Sequence, residues 1–346
     1  MAEAVVRFLA AQQIEGGIPL FAGVWAIFGH GNVAGLGPAL HAARSRLPTL
    51  RAHNEQAMAH AAIAFAKAHA RRRIMACTTS IGPGASNMVT AAAVAHVNRL
   101  PVLFLPGDVF ANRRPDPVLQ QLEAFGDATL SVNDCFRPVS RYFDRIMRAE
   151  QVLTSLPAAL RVLLDPADCG PVTLALPQDV QTEAFDCPAE FLRRRVHRIR
   201  KPLPDAAELL SAVAALRKSR KPIVIAGGGV KYALAEKRLA AFAEAHGLPV
   251  AETQAGKGSL AWNHACNAGA IGVTGATAAN ALAAKADAVL AVGSRLGDFA
   301  TGSRALFAGA KLVQLNVGAF DAAKHGALPL VADADAGLEA LARGLR

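Results

Sequence analysis

The chain has no H-E-x-x-H, no G-x-S-x-G and no Walker A lysine pattern, so the usual signatures of a zinc protease, a serine hydrolase and a P-loop NTPase are missing. Its five cysteines, Cys77, Cys135, Cys169, Cys187 and Cys266, are scattered, odd in number and never spaced C-x-x-C. That argues against a disulfide frame or a zinc ribbon and fits a reducing compartment, so the expected location is the cytoplasm. No apolar run is long enough to span a bilayer, and the most apolar later stretch, "LPVLFLPGDVF", is broken by prolines. The first residues, "MAEAVVRFLAAQ", carry Glu3, lack a cleavable signal layout and read as an amphipathic helix, so no membrane partner is expected. Acid is the scarcer charge: 27 Asp and Glu stand against 37 Lys and Arg, a net charge of +10. No zinc-finger spacing or aromatic-interleaved basic stripe accompanies this excess. Nucleic acid is therefore not an expected partner, and an anionic cofactor or a solvated basic surface accounts for the charge.

Hydrophobic residues make up 52% of the 346 residues with aromatics at only 5%, so the core is expected to be alanine-rich helices packed on sheets. A chain of this length predicts two domains. In the first half, strand-like runs ("PLFAGVWAIFG", "RIMACTTS", "LPVLFLPG", "PVTLALP") alternate with helical stretches such as "NEQAMAHAAIAFAKAHA". The second half restarts the alternation with "KPIVIAGGGV", "LPVAET", "ADAVLAVGSR" and "AKLVQLNV" and closes on the helix "DAGLEALARGL". Such alternation predicts α/β architecture: two doubly wound, mostly parallel-sheet domains over residues 1–185 and 205–346. Between them, residues 186–204 hold prolines and the basic residues Arg193, Arg194, Arg195, Arg198, Arg200 and Lys201, and read as a solvated, extended linker.

Parallel sheets bind ligands at the carboxyl ends of their strands. Four glycine turns fall at such places: "GHG" at 29–31, "IGPG" at 81–84, "AGGG" at 226–229 and "VGSRLG" at 292–297. In "GGGVKY", Tyr232 stands where a dinucleotide fingerprint needs its last glycine, which leaves a tight turn as the simpler reading. Glu55 follows Asn54, a good N-cap residue, at a strand-to-helix junction. Its carboxylate has two readings: a favourable contact with the helix dipole, worth about 0.3–1 kcal/mol, or a group presented to a ligand.

The stretches "RAHNEQAMAHAAIAFAK" and "TTSIGPGASNMVTAAAVAHVNRLPVLFLPGD" resemble the pyrimidine-binding domain of thiamine diphosphate-dependent enzymes of the acetolactate synthase type. That family's glutamate at a helix start and its G-P-G-x-x-N turn correspond here to Glu55, Gly82, Pro83, Gly84 and Asn87. The second half is similar to the family's central domain, so the resemblance covers essentially the whole chain. "VWAIFGHGNVAGLG", "RPDPVLQQLE" and "ETQAGKGSLAWNH" are most similar to one branch, whose members open a cyclic trihydroxy-dione during inositol breakdown.

The resemblance implies thiamine diphosphate and Mg2+ as cofactors and a cyclic dione as substrate. It implies that Glu55 bonds the cofactor's pyrimidine ring and drives its change of tautomer, while the G-P-G turn lets backbone approach that ring. His30, Gly31 and Asn32 fall in a loop that faces the pyrimidine in the family. His30 is a candidate acid or base toward substrate, with a structural role as the other reading, and Gln121 is a candidate at the reaction centre across a subunit boundary. The family pattern also includes a third domain, with a G-D-G motif and trailing asparagines for the metal and diphosphate, and that motif does not occur in these 346 residues. The expectation is that this chain alone has little activity: it is a fragment or truncated reading frame, or a separate chain supplies the diphosphate-binding domain, and the working form is a homo-oligomer or that complex. Three alternatives are a 2-oxoacid carboligase or decarboxylase, a non-catalytic assembly partner, and a flavin or nucleotide module built on the second domain.

Overall fold

The run "IMACTT" is buried at all six positions, because helices cover both faces of the sheet to which it belongs. The computed structural model describes residues 1–115 and 117–346. It divides into two compact units, Met1–Ile199 and Arg200–Arg346.

The strands of the first unit are β1 (Gln12–Ile14), β2 (Ile18–Pro19), β3 (Phe21–Ala26), β4 (Thr49–Arg51), β5 (Ile74–Thr79), β6 (Leu103–Asp108), β7 (Tyr142–Arg145), β8 (Val172–Pro177) and β9 (Arg195–His197). Six of them form a parallel sheet in the order β4-β3-β5-β6-β8-β7. The chain leaves β3 for the edge at β4 and returns on the other side at β5, so the strand order reverses between β3 and β5. A crevice opens at such a switch point, and the turns after β3 and β5 are "GHG" and "IGPG".

The helix Glu55–Ala68 starts where Asn54 turns its side chain to accept the Ala57 amide at 2.9 Å. It buries Met58, Ala59, Ala62, Ile63 and Ala66, a helical spacing of mostly small residues that lets it lie close on the sheet. This fixes Glu55 in the first helical turn, at the carboxyl end of the strands.

The stretch expected as a linker is tied down over much of its length. Phe191 is buried and stacks on Phe8 with ring centroids 4.6 Å apart, and β9 pairs in parallel with β1 in a small three-stranded sheet. Arg193 pairs with Glu190 at 2.6 Å, Arg194 bonds Gln13 and Arg198 lies 3.5 Å from Glu15. The basic run is a docked strap because an aromatic anchor and a strand ladder lie within it, signals too short to show as periodicity.

The second unit holds β10 (Pro222–Ala226), β11 (Val250–Glu252), β12 (Asn267–Ala270), β13 (Ala288–Val292), β14 (Lys311–Asn316) and β15 (Leu328–Val331), parallel in the order β12-β11-β10-β13-β14-β15. Its helices are bounded by local capping residues. Asp205 and Asp333 cap the starts of Ala206–Lys218 and Ala334–Leu345, and Gly247 ends Glu236–His246 in a left-handed conformation, φ +62°. Among the described residues no helix is long and apolar enough to cross a membrane.

Candidate active site

The turns after β3 and β5 pack directly on each other. The Ile81 amide donates to the His30 carbonyl at 2.9 Å, and a Cβ on Gly31 would lie 2.2 Å from Ile81 Cγ1. Gly31 has φ +105° and no room for a side chain, so glycine is required there on both counts. Asn32 is buried and turns its amide inward. Its Oδ1 accepts the Gly29 amide at 2.9 Å, and its Nδ2 donates to the Ile27 carbonyl at 3.1 Å and to Thr78 Oγ1 at 3.2 Å. Both amide protons are thus used to shape the loop that carries His30, whose ring is half-exposed.

Gly82 opens the turn Pro83–Ser86 with φ +63° and ψ −117°, a conformation open essentially to glycine alone. A Cβ there would meet the Gln120 carbonyl oxygen at 2.0 Å, so the later turn at 118–121 closes onto Gly82. Within that turn Gln121 Oε1 accepts the Val118 amide at 3.0 Å. The structure therefore brings the Gln121 turn against the G-P-G turn through backbone, while the Gln121 carbonyl oxygen is engaged locally.

Asn87 Nδ2 donates to Glu55 Oε2 at 2.8 Å, joining the helix after β4 to the turn after β5. On the other side of this carboxylate, a Cβ on Gly84 would stand 3.3 Å from Glu55 Oε1 and 2.4 Å from Ser80 Oγ. Glu55 therefore holds one oxygen fixed by an amide and turns the other toward bare glycine backbone. An acid held on one oxygen, with the other beside a glycine, suits a hydrogen-bonding ring nitrogen. Among the described residues no group of three or more His, Cys, Asp or Glu stands together as metal ligands.

Several residues that shape the site carry no local motif. Gln181 Nε2 donates to the Gly31 carbonyl and, at 2.8 Å, to the Leu176 carbonyl, bracing the loop from below. At the carboxyl end of β6, Asp108 is fully buried; its Oδ1 accepts from Ser131 Oγ at 2.6 Å and its Oδ2 from Arg145 Nε at 2.8 Å. Arg145 Nη2 also donates to Ser131 Oγ and to Asp134 Oδ2, both at 3.1 Å. Burial alone would lower the Arg145 guanidinium, but the adjacent Asp108 carboxylate holds it above its usual range. Asp134 is pushed up by burial and pulled further down by the Ser131 amide and by Arg137 and Arg145, so it lies below the usual carboxylate range. The only sequence cue to this cluster was an acid ending a wholly apolar strand, "LFLPGD".

The sequence pattern of the family described as "Thiamine pyrophosphate enzyme, N-terminal TPP binding domain" matches residues 21–127, and that of "Thiamine pyrophosphate enzyme, central domain" matches residues 209–341. The chain carries the N-terminal and central domains of a thiamine pyrophosphate enzyme. It is 51% identical over 347 residues to a 3D-(3,5/4)-trihydroxycyclohexane-1,2-dione hydrolase of Geobacillus thermodenitrificans, a match covering 99% of this chain and 54% of the relative. It is 50% identical over 345 residues to the protein of the same name from Bacillus cereus, covering 98% of this chain and 54% of that relative. The chain thus spans about half the length of the curated relatives it matches.

In the thiamine pyrophosphate frame, the carboxyl edge of the first sheet carries Glu55, Asn87 and both glycine turns of the N-terminal domain. The second unit's turns have a different geometry. A Cβ on Gly227 would lie 2.4 Å from the Gly293 carbonyl oxygen, and one on Gly229 would lie 2.5 Å from Gly293 Cα. The Gly227 amide bonds the Val292 carbonyl at 2.8 Å and the Gly229 amide bonds that of Gly293 at 2.9 Å. Two of the amides a phosphate would need are therefore committed inside the central domain, and its glycines serve backbone-to-backbone packing.

Proposed function

We propose that this chain supplies the pyrimidine-binding and central domains of a thiamine diphosphate-dependent hydrolase that opens a trihydroxycyclohexane-1,2-dione in inositol breakdown. The observation that carries this reading is the Glu55 carboxylate, held by Asn87 on one oxygen and facing bare Gly84 with the other. The names of relatives about half identical over nearly the whole chain support the choice of substrate. When bound, thiamine diphosphate supplies a nucleophilic carbon able to add to a ring carbonyl and take up the electrons of the breaking C–C bond.

The chain's own residues prepare that chemistry. Glu55 shares a proton with a pyrimidine ring nitrogen, and Asn87 fixes the carboxylate so that its free oxygen points one way. Gly84 lies beside that free oxygen, and Asn32 and Gln181 hold the loop that presents Gly31 and the His30 ring. His30 is the residue assigned to proton movement at the substrate, since its imidazole is half-exposed on the loop beside the G-P-G turn. Gln121 belongs to the turn that closes this site. Mg2+ is assigned with the diphosphate, and no residue described here is assigned as its ligand. The working assembly is a homo-oligomer, with the diphosphate-binding domain supplied by the same polypeptide or by a separate chain. The five cysteines are all free, which supports a reducing compartment such as the cytoplasm.

The test is to graft this chain in place of the matching half of the Geobacillus thermodenitrificans enzyme and follow opening of the cyclic dione. The graft is expected to turn the dione over, with pyruvate unconsumed. Consumption of pyruvate with the dione untouched would replace this reading by a carboligase.

A further inference from the structure

Between β6 and the 3-10 helix Val132–Val139 runs a long loop with no regular element of its own among its described residues. In its middle Val118 is buried, while Leu119 is 69% exposed, Leu122 51% and Phe125 96%. Polar fixings lie at its two ends. At the entry, Asp179 accepts the Ala111 and Asn112 amides at 2.9 and 3.1 Å. At the exit, Ser131 and Asp134 are bound to Arg145, which is itself paired with Asp108 at 2.8 Å. Between these ends the loop meets the site where the Gln120 carbonyl closes on Gly82 with Gln120 at φ +67°.

We infer that Arg145 is a positioning residue for the pyrimidine site: it clasps the loop exit to the end of β6 and so holds the 118–121 turn against Gly82. Arg145 sits on the edge strand β7 and does not touch the carboxylate of Glu55; it acts through Ser131, Asp134 and the loop. A buried ion pair adds little net stability compared with apolar packing, so what this pair contributes is a defined position. The planar guanidinium suits that task, because Nε reaches Asp108 while Nη2 reaches Ser131 and Asp134. The neighbouring contacts tie the same point to the site: Asn133 Nδ2 bonds the Gly107 carbonyl at 2.9 Å, and a Cβ on Gly107 would lie 2.8 Å from the Gly31 carbonyl oxygen. A shift at the clasp therefore reaches both glycine turns. The inference rests on the reading of Glu55 and the G-P-G turn as a pyrimidine site.

The experiment compares amide hydrogen exchange of the unmutated graft in the Geobacillus thermodenitrificans enzyme with its Arg145→Met and Arg145→Lys variants, each with and without thiamine diphosphate and Mg2+. Arg145→Met is expected to speed exchange across 117–131 by about tenfold, with β5 and β6 amides unchanged. It is also expected to weaken the cofactor's protection of residues 82–87, and Arg145→Lys, which keeps the charge and loses the fork, should fall between the two. If Arg145→Met unfolds the chain, Ser131→Ala removes only the hydroxyl link and should give the same pattern with smaller amplitude. Unchanged exchange at 117–131, or a loosened loop with cofactor protection intact, overturns the positioning role. Absence of cofactor protection in the unmutated graft overturns the pyrimidine-site reading instead, and a loosened loop in Arg145→Met would then mark a plain loop anchor.

Discussion

The two units solve the same construction problem and use the result differently. Each is a six-stranded parallel sheet whose order reverses beside its first strand, and each places two glycine turns at that reversal. In the central domain the turns press backbone on backbone, Gly227 and Gly229 against Gly293, with the Gly227 and Gly229 amides bonded there. In the N-terminal domain the turns share a backbone bond, Ile81 amide to His30 carbonyl, but Gly31 packs on the Ile81 side chain and the adjacent helix start adds Glu55 with Asn87 beside it. A shared fold therefore settles where a site can be, and the loop residues settle whether there is one.

The largest expected effect breaks this contrast at its chemical centre. Glu55→Gln in the grafted enzyme should cut dione opening by about 10²–10⁴-fold while the chain stays folded, as shown by unchanged exchange of β5 amides. Full activity would return Glu55 to the role of a helix-start acid. Next, Gly82→Ala should cost about 3 kcal/mol in urea unfolding, because a methyl group meets both a forbidden backbone conformation and the Gln120 carbonyl. Gly229→Ala should cost about 2 kcal/mol by crowding Gly293, yet leave cofactor protection of residues 82–87 untouched. Equal effects of the two glycine variants on cofactor protection would erase the distinction between the units.

A smaller effect is expected from Asn87→Ala, which frees one carboxylate oxygen without removing the acid. Loss of a hydrogen bond to a charged group, about 1.5–3 kcal/mol, should appear as roughly ten- to hundredfold slower turnover of the graft. The smallest lies in the central domain. Asp287 accepts from Ser219 Oγ and from the Arg220 and Lys221 amides, which lower its pKa from 3.8 to about 2. A depressed carboxylate stabilises the folded state above its unfolded value, and that stabilisation disappears as pH falls from 3.8 to about 2. Asp287→Asn should flatten acid unfolding of the central domain in that window and leave the N-terminal domain's acid limb as it was.

The central strands were legible because burial on both faces writes them as unbroken apolar runs, "IMACTT" and "AVLAV" among them. The edge strand β7, "YFDR", was not, since all four of its residues are only half-buried and its polar side chains carry no run or alternation. The docked strap at 189–197 escaped for a related reason: one buried phenylalanine and three paired residues are too few for periodicity to register.

At the site, the sequence alone determined the helix start at Asn54–Glu55 and the glycine turns at strand ends, because capping and turn geometry are local. The Glu55–Asn87 bond spans 32 residues of sequence, and the Asp108–Arg145 pair spans 37, so no spacing rule could have joined them. Tertiary structure also decided which turns are free: the inward amide of Asn32, the Gln120 carbonyl on Gly82 and the committed amides of Gly227 and Gly229 are contacts between segments. Local chemistry names the groups, and packing between distant strands decides which of them still face outward.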